Sequence, residues 1–584
     1  MKVLLVTLNA KFIHSSLALA YLEKYCQSDL WEIEVREYTI NELMEDILAD
    51  IHRAKPDILC FSCYIWNIEL TLQLCQDFKN INPDIPIILG GPEVSYDSRH
   101  YLINYPIEFV IRGEGEASLK ELLMTIAEGK DCKQVLGITY LKGQAIVENI
   151  DRPLIDNLDI IPFPYYNNLE KYKNKTIYYE TSRGCPFNCA YCLSSTIKGV
   201  RFFSLERVEK DLAYLMTNGV KEVKFVDRTF NCHEKRALNI MQYIVDNNIN
   251  TKFHFEIGAE LISEEFLEFL QGVPAGIFDF EIGIQSTHPT TLTAVNRQSD
   301  WQVLSKNISK IIELGNIHIH LDLIAGLPYE DYHTFANSFN EVFNLKADKI
   351  QLGFLKLLKG SHIANDIEKF AYIKQNKPPY QVLANHVLTY DELIKLGEVE
   401  KLVNKYYNTH IVDITLDFVI RELFKGDSFS FFVSLANHWE EKDLFYIGHK
   451  RDKDYTILME YILLTYPHYQ EEVKQTLKYD YFLNNRSFYL PALINENTNI
   501  DTGALLNLIL KDDNFIMQHM PHLKGKTVRE MKKHLNLAYF KKDPMNNFSS
   551  SSFIIFIYSN TGPTELRDIT SYIHTYLDAN PITP

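Results

Sequence analysis

Residues 176–192 read TIYYETSRGCPFNCAYC, a predicted β-strand over Thr176–Thr181 that is followed at once by three closely spaced cysteines. The spacing is C-x3-C-x2-C, with the thiols at Cys185, Cys189 and Cys192. Thiolates are soft ligands that suit iron–sulfur clusters, and a loop this short reaches three corners of a [4Fe–4S] cube. Three ligands for four irons leave one iron open, which is what a catalytic metal site requires.

The triplet could also be a coincidence of buried thiols or a zinc site that lacks its fourth ligand. Cys232 is the nearest further thiol, and His233 adjoins it. The layout with one open iron favours the cluster over both alternatives.

Strands and helices alternate after the triplet. The further strand candidates are Glu222–Val226, Lys252–Glu256, Phe278–Ile284, Ile317–Ile324 and Lys349–Phe354. Six β/α units in a row predict a (β/α)6 barrel or partial barrel, whose chemistry lies at the carboxyl ends of the strands.

The cysteine triplet and the later strand ends resemble the radical SAM superfamily. In that family the open iron binds the amino and carboxylate groups of S-adenosylmethionine (SAM), and an electron from the cluster cleaves SAM to a 5′-deoxyadenosyl radical. The other matching stretches are residues 225–231, 255–256, 281–286 and 323–328. Tyr191 fills the position of the family's aromatic residue that precedes the third cysteine and packs near the adenine. The resemblance implies SAM-binding roles for Tyr191, Asp227, Glu256, Glu281, Gln285, Ser286 and Gly326.

Two features of this region depart from the family pattern or have a plainer interpretation. The Gly-Leu-Pro turn after the fifth strand resembles the family's adenine-contacting segment, but its acidic residue is displaced to Glu330. Glu281 and Asp322 have an alternative interpretation as polar residues of the barrel layers that pair with Arg228 or Arg297.

The first part of the chain has its own series of strands and helices. Its strand candidates are Lys2–Leu8, Glu32–Tyr38, Asp57–Ser62, Ile85–Leu89 and Phe109–Ile111. This alternation predicts a doubly wound, Rossmann-like parallel sheet in an α/β fold, with Glu32–Tyr38 at an edge. Ligands of such sheets bind beyond the carboxyl ends of the strands, where glycines let the backbone approach a large ligand.

A domain of this kind ahead of a radical SAM barrel resembles the cobalamin-binding domain of the cobalamin-dependent radical SAM class. The resemblance covers roughly residues 1–145, and the residues that it implies for cobalamin binding are Asn9, Ser62, Gly90, Gly91, Gly113 and Glu114. Domains that ligate cobalamin through histidine carry D-x-H-x-x-G after the first strand. His14 lies near that place without the Asp or the Gly. We therefore expect His14 to be a polar residue near a helix start.

Two other motifs in this region have structural interpretations. Gly113-x-Gly115-x-x-Ser118 nearly matches a dinucleotide fingerprint, but its two glutamates would repel a phosphate at the helix N-terminus. Cys60 and Cys63 are three positions apart on a strand. They should face opposite sides and form buried structural thiols.

Composition limits the class of protein. The chain has 584 residues and a formal net charge of −17, which argues against a protein whose main work is to neutralise a nucleic-acid backbone. No apolar run approaches the roughly 18 residues that a membrane span needs. The first residues are typical of a first strand and not of a signal peptide. We expect a cytoplasmic protein whose nine cysteines are thiols or ligands.

The chain divides into four predicted segments. They are a cobalamin-binding-like domain (1–145), a linker (146–175), a radical SAM domain (176–384) and a C-terminal domain of unknown function (385–584). The last is predicted to be mostly helical, with a β-like stretch at Ser552–Ile557. It resembles an uncharacterised C-terminal region on some proteins of this class, and we expect it to shape substrate access.

The sequence therefore predicts a cobalamin-dependent radical SAM enzyme that methylates an unactivated carbon or performs a related radical rearrangement. The resemblance implies a [4Fe–4S] cluster, SAM and cobalamin as cofactors. It also implies a small-molecule or peptide substrate and an electron donor of the flavodoxin or ferredoxin type, without membrane or nucleic-acid partners. One alternative is a tRNA methylthiotransferase-like enzyme without cobalamin. Another is a non-catalytic sensor of cobalamin or SAM.

Overall fold

Alternating strands and helices in the first two thirds of the chain build two separate parallel sheets. The structure is a computed structural model that describes residues 1–486, 489–495, 500–559 and 562–579. The chain divides into two units, Met1–Leu393 and Ile394–Pro584. Both parallel sheets belong to the first unit, and the second unit is mostly helical.

The first sheet has seven strands in the order β2-β1-β3-β4-β5-β6-β7. The first five are parallel in the flavodoxin-like order, which confirms the doubly wound sheet with β2 at an edge. The strands β6 and β7 add an antiparallel extension that is not predicted from the sequence. The strands are β1 Lys2–Asn9, β2 Glu32–Thr39, β3 Ile58–Ser62, β4 Ile87–Gly90, β5 Phe109–Ile111, β6 Ile138–Lys142 and β7 Ala145–Glu148.

Helices cover both faces of this sheet and create two hydrophobic cores. Side chains alternate along β1, so that Leu4 and Val6 join one core while Val3 and Leu5 join the other. Cys63 lies in the first core and Cys60 in the second, which confirms that these two thiols face opposite sides. The helices are α1 Leu17–Tyr25, α2 Met44–Ala54, α3 Ile68–Ile81, α4 Pro92–Ser95, α5 Ser98–Asn104 and α6 Gly115–Ala127.

The second sheet has six parallel strands in chain order, β8-β11-β12-β13-β14-β15, as predicted. A short antiparallel hairpin, β9–β10, is inserted after its first strand, and a two-stranded ribbon, β16–β17, follows its last. The strands are β8 Ile177–Tyr179, β9 Ser182–Cys185, β10 Gly199–Phe202, β11 Glu222–Phe225, β12 Lys252–Glu256, β13 Phe278–Gln285, β14 His318–Ala325, β15 Lys349–Phe354, β16 Ile373–Lys374 and β17 Val382–Ala384.

Helices pack on the apolar face of the second sheet. Side-chain oxygens cap several of them, as Ser204 does for α7 and Asp331 for α12. The closing of the sheet into a partial barrel stays a prediction. The helices are α7 Leu205–Thr217, α8 Glu234–Asn247, α9 Glu264–Gln271, α10 Pro289–Ala294, α11 Trp301–Leu314 and α12 Tyr332–Phe343.

The second unit joins helices to a three-stranded antiparallel sheet in the order β18-β19-β20. The predicted strand Ser552–Ile557 is the central strand. The strands are β18 Leu535–Phe540, β19 Ser552–Ile557 and β20 Glu565–Asp568. The helices, the first of which begins at the end of the first unit, are α13 Tyr390–Leu402, α14 Asp413–Phe418, α15 Ser428–Glu441, α16 Arg451–Thr465, α17 Gln470–Asn484, α18 Thr502–Ile509, α19 Asp513–His519, α20 Val528–Lys532 and α21 Thr570–Ala579.

The four predicted segment boundaries stay predictions. The strand β7 extends three residues past the first of them, at residue 145, because its pairing with β6 continues the first sheet. The last ribbon strand, β17, ends at the predicted boundary after residue 384.

A buried carboxyl group fixes the start of α14 within the second unit. Asp480 on α17 accepts hydrogen bonds from Thr415 N (2.8 Å), Thr415 Oγ1 (2.7 Å) and Ile414 N (3.1 Å). Burial raises the pKa of Asp480 to about 7. The folded state therefore holds a proton on this group that the unfolded chain releases near pH 4.

We predict that the second unit loses stability as the pH rises from about 4 to about 7, because the folded state binds the extra proton across this window. Asp480→Asn should flatten this dependence. Asp480→Ala should cost about 1–3 kcal/mol, because buried donors lose their acceptor. Hydrogen exchange of α14 and α17 in the full chain measures both effects. An Asp480→Asn protein with the wild-type pH dependence would contradict the assignment.

Candidate active site

The carboxyl ends of the first sheet open onto a large cavity. Asn9, Ser62 and Gly90 end β1, β3 and β4, and Gly113 follows β5. These residues line a cavity of about 1220 Å³ together with Gly91 and Glu114. The structure therefore brings all six predicted cobalamin-binding residues to one cavity, which is larger than the roughly 300–1,000 Å³ typical of pockets for small molecules.

Gly91 has a conformation and a position that only glycine permits. Its φ is +110°, and an added Cβ would lie 2.5 Å from the carbonyl oxygen of Cys63. The tight turn lets the backbone after β4 form part of the cavity wall. Gly113 has a φ of +73° with open space at the Cβ position, so its need for glycine is conformational alone.

Two aromatic residues that follow β3 also line this cavity. The rings of Tyr64 and Trp66 stack with their centroids 4.4 Å apart, and Trp66 Nε1 donates to Leu8 O at 3.2 Å. The neighbouring Asn67 side chain donates to Leu8 O and Ser62 O, so it ties together the ends of β1 and β3. None of these three residues was predicted as a site residue, although their position directly after a buried strand was a signal that could have found them.

His14 lies in the loop before α1, and Ser16 caps that helix. His14 Nδ1 is 2.6 Å from the hydroxyl of Tyr178 on β8, and burial lowers the pKa of His14. Asn9 donates to the carbonyl oxygen of His14 and to Glu37 Oε2. His14 therefore connects the first sheet to the second, which is a more specific role than the polar helix-start residue that we expected.

The cysteine loop begins in the β9–β10 hairpin, with Cys185 at the end of β9 opposite Gly199. Gly184 has a φ of +102°, and a Cβ there would collide with the carbonyl oxygen of Gly199. Cys185 Sγ lies 3.7 Å from Thr229 Oγ1, and Arg297 Nη1 lies 3.9 Å from Cys189 Sγ. Burial raises the pKa of Cys185, which a bound metal would oppose.

Asp227 anchors the start of the same loop. It is buried and accepts hydrogen bonds from Thr181 N (2.9 Å), Thr181 Oγ1 (2.6 Å) and Ser182 Oγ (2.6 Å). Burial raises its pKa, and the hydrogen bonds from Ser182 and Thr181 oppose that rise. The contacts of Asp227 are those of a residue that positions the loop, and its predicted contact with SAM stays a prediction.

Tyr191 and Gln285 both lie near Arg297, which is half-buried. Arg297 Nη1 is 3.4 Å from the Tyr191 hydroxyl, and its Nη2 donates to Gly283 O. Gln285 folds its amide back over Gly283, where a Cβ would collide with Gln285 Nε2. Gln285 Oε1 is buried and, within the part of the chain that the structure describes, has no hydrogen-bond partner.

Ser286 and Gly326 occupy neighbouring strand ends. Ser286 Oγ donates to Glu330 Oε1 at 2.6 Å, and Ser338 Oγ donates to the same oxygen at 2.7 Å. Burial raises the pKa of Glu330 to about 7. Glu330, the displaced acidic residue, thus holds Ser286 in place at the end of β13 through this hydrogen bond. Gly326 takes a φ of +95°, and its carbonyl accepts a hydrogen bond from Asn385 Nδ2.

The inner face of the second sheet, opposite its helices, is polar along the middle strands. Glu281 accepts hydrogen bonds from His254 Nε2 (2.8 Å) and Lys224 Nζ (3.0 Å). Burial raises the pKa of Glu281, but these hydrogen bonds outweigh it and hold the pKa at about 2. Glu256 lies 3.8 Å from Arg228, and burial raises its pKa.

Asp322 lies on the next strand of the same inner face. His320 Nε2 is 3.2 Å from Asp322 Oδ1, without hydrogen-bond alignment, and burial lowers the pKa of His320 to about 4. Burial, followed by the charges of Glu281 and Glu256, raises the pKa of Asp322 to about 8. The plainer interpretation paired Glu281 with Arg228 or Arg297. In the structure, the hydrogen-bond partners of Glu281 are Lys224 and His254.

The residues around the cavity fit the groups that the sequence predicts. Gly184, Leu193 and Ser194 of the cysteine region line the same cavity as the ends of the first sheet, so a cobalamin there would lie beside the cluster loop. The unpartnered Gln285 Oε1 suits a donor such as the amino group of SAM. Within the described residues, no His, Cys, Asp or Glu side chains are grouped in threes as a single metal ion requires. A [4Fe–4S] cube does not need its three thiolates to meet at one point, because each thiolate binds a different iron.

Three protein families match this chain. The B12 binding domain matches residues 3–123, the Radical SAM superfamily matches residues 179–342, and a protein family of unknown function, DUF4080, matches residues 368–556. Within the described residues, we find no helix that combines the length and the apolar character needed to cross a membrane.

The chain also resembles named proteins and solved structures. It is 31% identical over 324 residues to an uncharacterized methyltransferase of Pyrococcus horikoshii. The aligned region covers 54% of this chain and 70% of that protein. It is 24% identical to the cobalamin-dependent radical SAM methyltransferase TokK of Streptomyces tokunonensis, over 49% of this chain and 45% of that enzyme. The fold matches the cobalamin-dependent SAM radical enzyme OxsB with a TM-score of 0.55 at 16% identity, over 80% of this chain and 72% of that one.

The chain therefore belongs to the family of radical SAM proteins that carry a cobalamin-binding domain. It is a radical SAM enzyme, and the cofactors of its two domains are a [4Fe–4S] cluster with SAM and a cobalamin. Enzymes of this class need a reductant and a substrate. The alternatives of a methylthiotransferase and a sensor have no support, and Cys60 on β3 and Cys63 just after it are buried in different hydrophobic cores.

We predict that Gly91→Ala weakens cobalamin binding by about fivefold or more, because relieving the clash with Cys63 O moves the cavity wall at a cost of about 1–3 kcal/mol. Equilibrium titration with hydroxocobalamin measures the dissociation constant. Gly129→Ala is the matched control, because Gly129 also has a positive φ, +63°, but open space at its Cβ position. Equal affinities in the two variants would show that the turn at Gly91 does not shape the site.

Proposed function

We propose that this enzyme is a methyltransferase that transfers a methyl group to an unactivated carbon of a small polar molecule. The observation that carries the proposal is the single cavity that the ends of the first sheet share with the cysteine region. A methyl donor held by the first sheet and a radical formed at the cluster must act on one substrate atom. The relatives named as methyltransferases support the same reaction.

The roles of the site residues form part of this proposal. The thiolates of Cys185, Cys189 and Cys192 hold the cluster, and Asp227 and Gly184 set the course of the chain into their loop. When bound, the cluster supplies the electron that cleaves SAM, and the cobalamin supplies the methyl group. The residues proposed to bind or orient SAM are Tyr191, Asp227, Glu256, Glu281, Gln285, Ser286 and Gly326. Those proposed to line the cobalamin are Asn9, Ser62, Gly90, Gly91, Gly113 and Glu114.

The polar inner face of the second sheet supports a polar substrate. Lys224, His254 and Glu281 form one hydrogen-bonded group there, and Asp322 adds a carboxyl group on the adjacent strand. A lipid or another apolar substrate would strip water from these groups without replacing their hydrogen bonds, which is unfavourable. We therefore propose a small polar molecule or a peptide as the substrate.

The partner and the location are proposed from the chemistry of the site. The reductant is a low-potential protein of the flavodoxin or ferredoxin type, and the net charge of −17 disfavours a nucleic-acid partner. All nine cysteines are free thiols, which fits a reducing compartment and hence the cytoplasm.

We predict that the reconstituted enzyme forms two products from SAM, because it uses SAM both as a methyl donor and as a radical source. The protein is loaded anaerobically with iron, sulfide and hydroxocobalamin, desalted, and supplied with SAM and a strong reductant. S-adenosylhomocysteine reports methyl transfer, and 5′-deoxyadenosine reports reductive cleavage. Formation of 5′-deoxyadenosine alone, with cobalamin retained, would contradict methylation and favour a related radical rearrangement.

The cluster assignment predicts that alanine at Cys185, Cys189 or Cys192 abolishes 5′-deoxyadenosine formation and the visible absorption of the cluster. A cube that loses one of three protein ligands is no longer held in the loop. Cys232→Ala is the matched control, because Cys232 is a half-buried thiol outside the triplet. A Cys189→Ala protein with wild-type iron content and activity would refute the assignment.

The SAM assignment predicts that Gln285→Ala raises the dissociation constant of SAM about five- to tenfold, which corresponds to the loss of one hydrogen bond worth about 1 kcal/mol. Gln302→Ala on the exposed start of α11 serves as the control. Titration of the cluster-loaded protein with SAM measures both constants. An unchanged constant in Gln285→Ala would place this amide outside the SAM site.

A further inference from the structure

Five buried charged residues join the cobalamin-binding domain to the hairpin that carries the first cluster cysteine. Glu114 and Glu116 begin α6 at the end of the first sheet, while Glu180, Arg183 and Arg201 belong to the cysteine region. Their side chains are only 7–16% exposed. We refer to these five residues as the interdomain ion cluster.

The two arginines form a directly opposed pair across the hairpin. Arg183 on β9 and Arg201 on β10 are register partners in the same ladder as Cys185 and Gly199. Like charges that face each other across a strand pair repel and destabilise the pairing. The hairpin therefore needs an anion at this place to keep its two strands in register.

Glu114 supplies that anion from the other domain. Its Oε1 accepts from Arg183 Nη1 (3.3 Å) and Arg201 Nη2 (2.7 Å), and its Oε2 accepts from Arg201 Nη1 (3.1 Å) and Ile155 N (2.8 Å). Arg201 also donates to Ile155 O at 2.6 Å. One carboxylate thus binds both strands of the hairpin and the chain segment that connects the two domains.

Glu116 and Glu180 complete the neutralisation of Arg183. Arg183 Nη2 lies 2.5 Å from Glu116 Oε1, and Arg183 Nε donates to Glu180 Oε1 at 2.9 Å. The planar guanidinium is therefore held from three sides, so its position and that of the hairpin are well defined. Cys185 lies only two residues after Arg183 in the sequence.

The same carboxylate adjoins the cobalamin cavity. Glu114 follows Gly113, and both line the cavity together with Arg183 and Gly184. Both oxygens of Glu114 are already occupied by protein donors, which leaves it a poor direct ligand for the corrin. Its contacts instead connect the wall of the cavity to the start of the cysteine loop.

We infer that Glu114 is a positioning residue, which sets the distance and orientation between the cobalamin and the [4Fe–4S] cluster by holding Arg183 and Arg201. The inference rests on the cofactor content of the family and not on methyl transfer. It would stand for any radical reaction that needs both cofactors in one cavity.

The test compares Glu114→Gln, Arg201→Gln and the double variant with the wild-type holoenzyme. Pulsed electron paramagnetic resonance measures the dipolar distance between protein-bound cob(II)alamin and the reduced cluster. We expect a narrow distance distribution in the wild type and a broadened or shifted one in each single variant. The double variant should be no worse than either single variant, because both substitutions break the same contact.

Two further readouts separate positioning from a general structural role. Cobalamin content, iron content and 5′-deoxyadenosine formation should stay at wild-type levels in Arg201→Gln, because Arg201 is not among the cluster cysteines, the proposed SAM residues or the residues that line the cavity. Glu128→Gln, at the exposed far end of α6 and paired with Lys130, is the matched control. A wild-type distance distribution in both single variants would overturn the inference. Loss of the cluster in both would also overturn it, by showing that the contact only maintains the loop.

Discussion

The ion pairs of Glu114 with Arg183 and Arg201 connect the two parallel sheets of the first unit. Both hydrophobic cores of the first sheet are built only from residues 1–147, so their apolar burial stabilises that sheet without dictating where the second sheet lies. Directional contacts are needed for that, and the interdomain ion cluster provides them beside the cavity. The hydrogen bond between His14 and Tyr178 adds a second connection at the edge strand β8.

The polar inner face of the second sheet distinguishes it from the packed interior of a closed barrel. A closed (β/α)8 barrel fills its interior with layers of branched apolar side chains. Here the corresponding positions on β12, β13 and β14 carry His254, Glu256, Glu281, His320 and Asp322. Such a face is stable only with water or a polar ligand against it, since buried polar groups need partners. This face therefore favours the proposed polar substrate over a lipid-like substrate, which an apolar interior would accept.

The second unit has a core of its own and matches a family whose function is unknown. Its helices bury many aromatic side chains, and its three-stranded sheet packs helices α18–α21 on one side. The contacts of Asp480 show that buried polar groups in this unit are used to cap a helix from a distant part of the chain. The proposed role in substrate access remains a hypothesis for this unit.

The strands of both parallel sheets and the edge position of β2 could be predicted from the sequence, because apolar runs separated by amphipathic helices have few possible topologies. The full strand order of the first sheet came from the structure. The cysteine spacing likewise predicts the cluster loop, since neighbouring residues alone determine its reach. Three strands of the structure were not predicted from the sequence, each for a physical reason. The strand β18 is almost fully buried and lacks alternation, β20 is polar and at an edge, and β7 is only four residues long with no fully buried residue.

Contacts between distant residues were decided by the tertiary structure alone. The family resemblance implied that Glu114 lines the cobalamin site and that Asp227 binds SAM. The structure shows Glu114 bound to Arg183 and Arg201, and Asp227 bound to Thr181 and Ser182. A sequence pattern reports which groups reach the same edge of a sheet, because that follows from strand direction. It does not report which donor each acceptor takes, because that depends on the packing of segments far apart in the chain.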